Sequence, residues 1–215
     1  MKKVCAIIMA GIMTLGVGYT PAAAIYSEHN TSYSFFCDDW AAGYMKEAVT
    51  SLYLDNKTLR SDATLSITRA EMAVLIVNTM TNLSRFNHNH KWHYDSTFTD
   101  VDRNSVYYDY IQCAYTNGIV NGVGNNKFNP NAPITRQDAA LMFYRMMETT
   151  HPDLNEFSTA KFADDAKIRH YAQGAVYNLK YYGIINGQGH NIFNPYGNCK
   201  IEEAVKMCLS VTYLG

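Results

Sequence analysis

Gly118-Ile119-Val120-Asn121-Gly122, then Phe128-Asn129-Pro130, then Ile134-Thr135-Arg136-Gln137-Asp138 is the stretch that decides the fold, because it occurs again. The second copy reads Gly183-Ile184-Ile185-Asn186-Gly187, Phe193-Asn194-Pro195 and Cys199-Lys200-Ile201-Glu202-Glu203. Ile134 follows Gly118 by 16 residues (134 − 118), and Cys199 follows Gly183 by the same 16 (199 − 183). Each copy opens upstream on Phe-x-Asp, at Phe98-Thr99-Asp100 and Phe162-Ala163-Asp164. A more diverged segment runs from Asp38-Asp39-Trp40 to Ile67-Thr68-Arg69-Ala70-Glu71 and lacks the Asn-Gly loop. Self-similarity of this kind marks a repeat architecture, in which no single unit can bury its own apolar face.

Each unit reads as helix, irregular loop, helix, which places the chain in the all-α class. The closing helices carry the clearest pattern. Met72, Ala139 and Ala204 align, as do Leu75, Met142 and Met207, and Ile76, Phe143 and Cys208. Within each helix these stand at i, i+3 and i+4, a single apolar face. Three such stripes predict a central three-helix bundle. Thr68-x-x-Glu71 and Thr135-x-x-Asp138 look like capping boxes at the helix starts, the second weaker because Asp is short. The third unit has Lys200 at that place, and Asn198 is the nearest alternative cap. The polar stretches Thr81 to Thr97 and Glu148 to Lys161 read as linkers. The expected units are therefore residues 36–80, 98–147 and 162–212.

Residues 1–24 read as a secretory signal peptide: Met1-Lys2-Lys3, an apolar run from Val4 to Val17, and Ala22-Ala23-Ala24 before the expected cut. That run is shorter than the ~20 apolar residues a spanning helix needs, and no later stretch is apolar enough to cross a bilayer. A net charge of −1 excludes a strongly basic nucleic-acid surface and gives no support for steering to anionic membranes. The 17 Tyr in 215 residues suit a protein with many half-exposed contact surfaces. Asp100-x-Asp102-x-Asn104 opens like a calcium loop, but Ser105 and Ile111 occupy places that need Gly and Glu. His88, His90 and His93 lie beside Trp92 with no fourth ligand evident, and read as part of a solvated linker. Catalytic glycine, serine or zinc motifs do not occur, so the expectation is a chain without enzyme activity, cofactor or metal.

In order and in series, Phe-x-Asp, Gly-Ile-(Val/Ile)-Asn-Gly, Phe-Asn-Pro and Ile-Thr-Arg-Ala-Glu resemble S-layer homology domains, over nearly all of the chain after residue 24. The resemblance implies a pseudo-threefold spindle: closing helices in the middle, opening helices as outer prongs, grooves between the prongs. It also implies non-covalent binding to a secondary cell-wall polysaccharide or other peptidoglycan-linked polymer, often one carrying a pyruvate ketal. Localisation would be the bacterial cell wall or surface, with surface-layer proteins as further partners.

Arg69 and Arg136 are the expected anion sites. An Arg just inside a helix start stands near unsatisfied N–H groups, and its planar guanidinium can take a carboxylate through two hydrogen bonds. The competing reading is a surface Arg paired with a neighbouring acid. Asn121-Gly122 and Asn186-Gly187 could bring backbone N–H groups to a ligand, although turns need such glycines too. Trp40, Tyr108 and Tyr171 fall on the opening helices and could stack on a sugar, with core packing expected for at least one. The third unit has Ile201 at the Arg position, which leaves at most two working grooves. Cys5 belongs to the signal peptide, and Cys37, Cys113, Cys199 and Cys208 allow three full connectivities. Cys208 reads as a core thiol. In the implied ring Cys37 and Cys199 face each other across the third groove, so they either form a ring-closing disulfide or remain thiols. The alternative function is a structural or protein-interaction module that keeps the fold without binding carbohydrate.

Overall fold

A computed structural model describes residues 22–28, 31–52, 54–55, 57–83, 97–154, 159 and 161–214, with side chains from Phe35 onward. Its main elements are six α-helices: α1 (Ala42–Ser51), α2 (Arg69–Asn82), α3 (Tyr108–Thr116), α4 (Arg136–Thr150), α5 (His170–Tyr181) and α6 (Ile201–Thr212). An element absent from the expectation precedes them. Strands β1 (Ala22–Glu28) and β2 (Thr31–Cys37) form an antiparallel hairpin pairing Ala22 with Cys37 and Glu28 with Thr31. The cut expected after Ala24 falls inside β1, and residues 1–21 lie outside the described residues, as do His88, His90, Trp92 and His93.

The closing helices α2, α4 and α6 contact one another pairwise. Leu75, Met142 and Met207 are buried between them, as the shared stripe requires. Their N-termini are tied by a closed ring of backbone hydrogen bonds. Ile67 N–H donates to Cys199 C=O at 2.8 Å, Cys199 N–H to Ile134 C=O at 3.0 Å, and Ile134 N–H to Ile67 C=O at 3.1 Å. The next donors repeat the cycle. Arg69, Arg136 and Ile201 N–H reach Ala132, Gly197 and Leu65 C=O; Ala70, Gln137 and Glu202 N–H reach Pro130, Pro195 and Ala63 C=O. Each closing helix thus finds partners for its orphan first-turn donors in a neighbouring segment. Outside this centre α3 packs on α2, α5 on α4, and α1 on α6, so the first helix closes against the last.

Local chemistry sets the helix ends. Thr68 and Glu71 form the complete capping box: Glu71 N–H donates to Thr68 Oγ1 at 3.2 Å, and Thr68 N–H to Glu71 Oε2 at 2.8 Å. Thr135 Oγ1 accepts from Asp138 N–H at 3.3 Å, but the shorter acid bonds the Thr hydroxyl instead of reaching back to the backbone. The third cap is Lys200, not Asn198. Its ammonium cannot accept a hydrogen bond, so only half a box forms, with Lys200 N–H on Glu203 Oε2 at 2.9 Å. Thr68→Ala is accordingly expected to lower stability by about 1 kcal/mol, checked by urea unfolding. The helices also run further than the polarity suggested. Thr81, Asn82 and Glu148–Thr150 are helical rather than linker; the Thr81 and Thr150 hydroxyls find partners within the helix, on Val77 and Met146 C=O.

The loops explain the remaining motif positions. Asp100 Oδ1 and Oδ2 accept from Phe128 and Asn129 N–H, each at 2.8 Å, and Asp164 does the same for Phe193 and Asn194. The Phe-x-Asp acid is therefore a clamp that shapes the Phe-Asn-Pro loop, whose Asn129 and Asn194 adopt φ of 59° and 57°. Burial works against ionisation of both carboxyls, yet the paired backbone N–H groups hold them below their ordinary range.

Candidate functional site: grooves beside the closing helices

The starts of α2 and α4 lie against the Phe128-Asn129-Pro130 and Phe193-Asn194-Pro195 loops, and the start of α6 lies against Ala63 and Leu65. Arg69 Nε donates to Phe128 C=O and Nη2 to Asn121 C=O, both at 2.7 Å, and its guanidinium lies 4.6 Å over the Phe128 ring. Arg136 repeats this one unit on, with Nε on Phe193 C=O at 2.8 Å and the Phe193 ring 5.4 Å away. There the likeness ends. Arg136 is only 4% exposed and its Nη1 meets Glu203 Oε1 at 2.5 Å. The residue equivalent to Glu203 beside Arg69 is Asp138, one methylene shorter, and no ion pair forms there. Among the described residues Arg69 has no carboxylate within ion-pairing distance, and burial pushes its guanidinium below the ordinary value.

Two expectations about these arginines are corrected. Neither stands beside unsatisfied helix N–H groups, because the backbone ring and the Thr68 and Thr135 caps already occupy those donors. Nor is Arg136 outside the core. It forms a buried structural ion pair, and of these two arginines Arg69 is the one without a carboxylate partner among the described residues.

Asn121 and Asn186 are exposed beside the two arginines. Gly122 and Gly187 are required by packing. A Cβ on Gly122 would sit 2.7 Å from the Lys127 C=O oxygen and 2.8 Å from Phe98 Cε1, and one on Gly187 would collide with the Ile192 C=O oxygen and sit 2.9 Å from Phe162 Cε1. The Phe of each Phe-x-Asp motif presses on the glycine, and Gly187 also has φ +78°.

The aromatics divide. Tyr108 is 7% exposed and unavailable to a ligand. It is not the structural equivalent of Trp40 and Tyr171 but lies two residues beyond that place. Buried Met45, Ile111 and Val176 are equivalent, and the place five residues before each is Trp40, Val106 and Tyr171 (45 − 5, 111 − 5, 176 − 5), exposed by 48, 52 and 50%. Tyr171 stands at the Arg69 groove, where its hydroxyl donates to Asp138 Oδ1 at 2.6 Å and accepts from Gln137 Nε2 at 3.2 Å. Trp40 stands at the Arg136 groove. Val106 belongs to the third, where Ile201 replaces Arg and Arg60 binds Glu71 through Nε and Nη2 at 2.7 and 2.8 Å. That groove has Ile201 and Val106 where the other two have an arginine and an aromatic, and its cation, Arg60, is paired with Glu71.

The Arg136 groove encloses about 350 Å³ between Trp40, the Asn186-Gly187 loop and the α6 side chains Lys200, Glu202, Glu203 and Lys206. Its far wall is the seam joining the first unit to the last. Lys200 Nζ meets Asp38 Oδ2 at 2.9 Å and Glu202 Oε1 at 3.1 Å, and Asp38 N–H donates to Glu202 Oε2 at 2.8 Å. Of the two alternatives open for Cys37 and Cys199, the ring-closing disulfide does not form; all four described cysteines are buried without one. The ion network one residue on from each closes the seam instead. Burial, then Glu202 and Asp38, push the Cys37 thiol up to about 11, and burial raises Cys199 further, so neither supplies the thiolate that exchange needs. None of Lys200, Glu202, Glu203, Lys206 or Arg60 was singled out by sequence as a site residue. The visible signal was Lys206, a charge standing where α2 and α4 have Val74 and Leu141 (141 − 74 = 67; 206 − 141 = 65, the offsets that align Arg69, Arg136 and Ile201).

Among the described residues no helix is long and apolar enough to cross a membrane, and no group of His, Cys, Asp or Glu could hold a metal ion. Comparison with known sequences agrees with the repeat. The chain is 28% identical over 82% of its length to an amylopullulanase of Thermoanaerobacterium thermosulfurigenes, covering 9% of that protein. It is 30% identical over 78% of its length to Exoglucanase XynX of Acetivibrio thermocellus, covering 15% of it. It is 30% identical over 70% to a surface-layer 125 kDa protein of Lysinibacillus sphaericus, covering 12%. The chain thus spans a small part of each relative, and what it shares with two enzymes and a surface-layer protein is a segment common to all three. The sequence pattern of the S-layer homology domain matches twice, and the chain carries S-layer homology domains at residues 97–140 and 161–204.

Proposed function

We propose that the chain attaches non-covalently to the bacterial cell wall by binding an anionic secondary wall polysaccharide. S-layer homology domains occur in cell-surface proteins that anchor to the wall, and the domain is a non-catalytic anchoring module. On this reading the chain is exported, residues 36–80 are a third and diverged repeat beside 98–147 and 162–212, and the chain is not itself an enzyme. The observation that carries the proposal is the groove of about 350 Å³ whose walls are a half-exposed Trp40 and the polar Asn186-Gly187 loop. A flat aromatic face with polar groups opposite suits a sugar ring, which presents C–H bonds on one side and hydroxyls at its edge. The Arg69 groove, with Tyr171 at its rim and an unpaired guanidinium, is a second subsite for an acidic substituent.

A pull-down with isolated sacculi tests this. Trp40→Ala is expected to weaken binding roughly tenfold, the equivalent of ~1.4 kcal/mol for a lost aromatic contact. Arg69→Ala should cost on the order of 2 kcal/mol, about thirtyfold, for a charge-assisted pair. The double variant should nearly abolish binding, and sacculi stripped of their polysaccharide should not retain the wild type. Undiminished retention of the double variant favours the second reading, a structural or interaction module that has kept the fold alone. That reading is supported by the internal neutralisation of Arg136 by Glu203 and of the third groove by Arg60 and Glu71.

A further inference from the structure

The cations of the Trp40 groove are not equivalent. Arg136 is neutralised by Glu203, and Lys200 by Asp38 and Glu202. Lys206, half-buried in mid-α6, has no carboxylate within ion-pairing distance among the described residues. Its Nζ lies 5.9 Å from the ring centroids of both Trp40 and Tyr44. The equivalent positions of the other closing helices are apolar, Val74 and Leu141, so the helix packing itself does not call for a charge here. A Lys at such a place lays its methylene stem along the apolar wall and turns its head to the open side. That side is the groove.

We infer that Lys206 is the anion-recognising residue of this groove and that it selects a saccharide bearing a carboxylate or phosphate substituent, with Trp40 under the sugar ring. The inference rests on the reading that the Trp40 groove takes the wall polymer, and adds to it the residue and charge that set selectivity. A sugar stacked on Trp40 places a substituent at its edge within reach of an ammonium already seated against the same ring. The role that Arg136 would have filled passes to Lys206, because Arg136 is committed to Glu203 and Phe193 C=O. An ammonium is a point charge without the planar fork of a guanidinium, so it accepts either anion.

The test uses the full chain and polysaccharide released from sacculi in three forms: native, carboxyl-reduced, and freed of phosphate by mild hydrofluoric acid. Lys206→Met keeps the stem and removes the charge. It should leave the melting temperature within about 2 °C while weakening binding to native polymer at least tenfold and flattening its salt dependence. Lys206→Arg should stay within about threefold of wild type. One of the two treated polymers should bind wild type and Lys206→Met equally weakly, and that treatment identifies the substituent. Lys206→Met binding native polymer as wild type does overturns the inference, as does an equal loss on every form of the polymer. Wild-type affinity untouched by either treatment overturns it too. If Trp40→Ala abolishes binding while Lys206→Met does not, the groove keeps its function and only the role of Lys206 falls. A wild type that binds none of the three removes the polymer-binding reading itself.

Discussion

Arg136→Ala is expected to lower the stability of the chain by about 3 kcal/mol, whereas Arg69→Ala, at the equivalent position, should lower it by less than about 1. Removing one partner of a buried pair leaves the other charge uncompensated in a poor solvent, which typically costs ~3–5 kcal/mol. Arg136 is nearly enclosed, its Glu203 partner is mostly so, and Phe193 C=O would lose its donor as well. Arg69 has no carboxylate to strand. For a chain of this size the first change corresponds to a melting temperature lower by about 6–12 °C. The second variant, Arg136→Ala with Glu203→Gln, should recover part of the loss, since the stranded charge goes too. Thermal unfolding of the four proteins decides it. Equal and small losses at both arginines would mean that Arg136 is a surface ligand residue after all.

Asp100→Ala combined with Asp164→Ala should be at least as damaging, at about 4 kcal/mol. Each carboxylate holds two backbone N–H groups of a loop, and charge-assisted bonds of this kind contribute roughly 1.5–3 kcal/mol. The two clamps lie in different units and share no partner, so their losses should add. The pH dependence follows from the direction of both shifts. Each carboxyl is held below its ordinary range in the folded chain. Its contribution is therefore complete above the unfolded value near 3.9 and disappears as pH falls through the lower folded values. Urea unfolding at neutral pH and near pH 3 should show the wild type losing much of its advantage over the double variant in acid. A difference that stays constant across that range would rule out the clamp.

The two loops also show where function was misplaced. Gly122 and Gly187 attract attention as flexible backbone next to Asn, yet each is small because a backbone carbonyl, of Lys127 or Ile192, and a Phe ring leave no room for a Cβ. Tyr108 looked like a sugar platform because it begins an opening helix. The helix phase instead turns it inward and presents Trp40, Val106 and Tyr171 outward. Phase is set by which face meets the closing helix, and one unit read alone does not contain that.

What the sequence determined by itself was whatever depends on local chemistry and on period. The 16-residue spacing from Gly to the closing helix, the i, i+3, i+4 stripes through Leu75, Met142 and Met207, and the Thr68 cap were all legible, because they concern residues within one turn or one loop of each other. The missing arginine of the third groove was legible in Ile201. Only the tertiary structure decided which cations are spent and which are open. Arg69 and Arg136 are alike in sequence, and both lie over a Phe and bond its carbonyl. They differ because Glu203 is one methylene longer than Asp138 and reaches its arginine from the next unit. The seam between Asp38, Lys200 and Glu202, which engages the Asp38 and Glu202 carboxylates at the groove's far wall, joins residues more than 160 positions apart. Charges couple through distance in space, and the backbone hydrogen-bond ring that ties the starts of α2, α4 and α6 sets those distances.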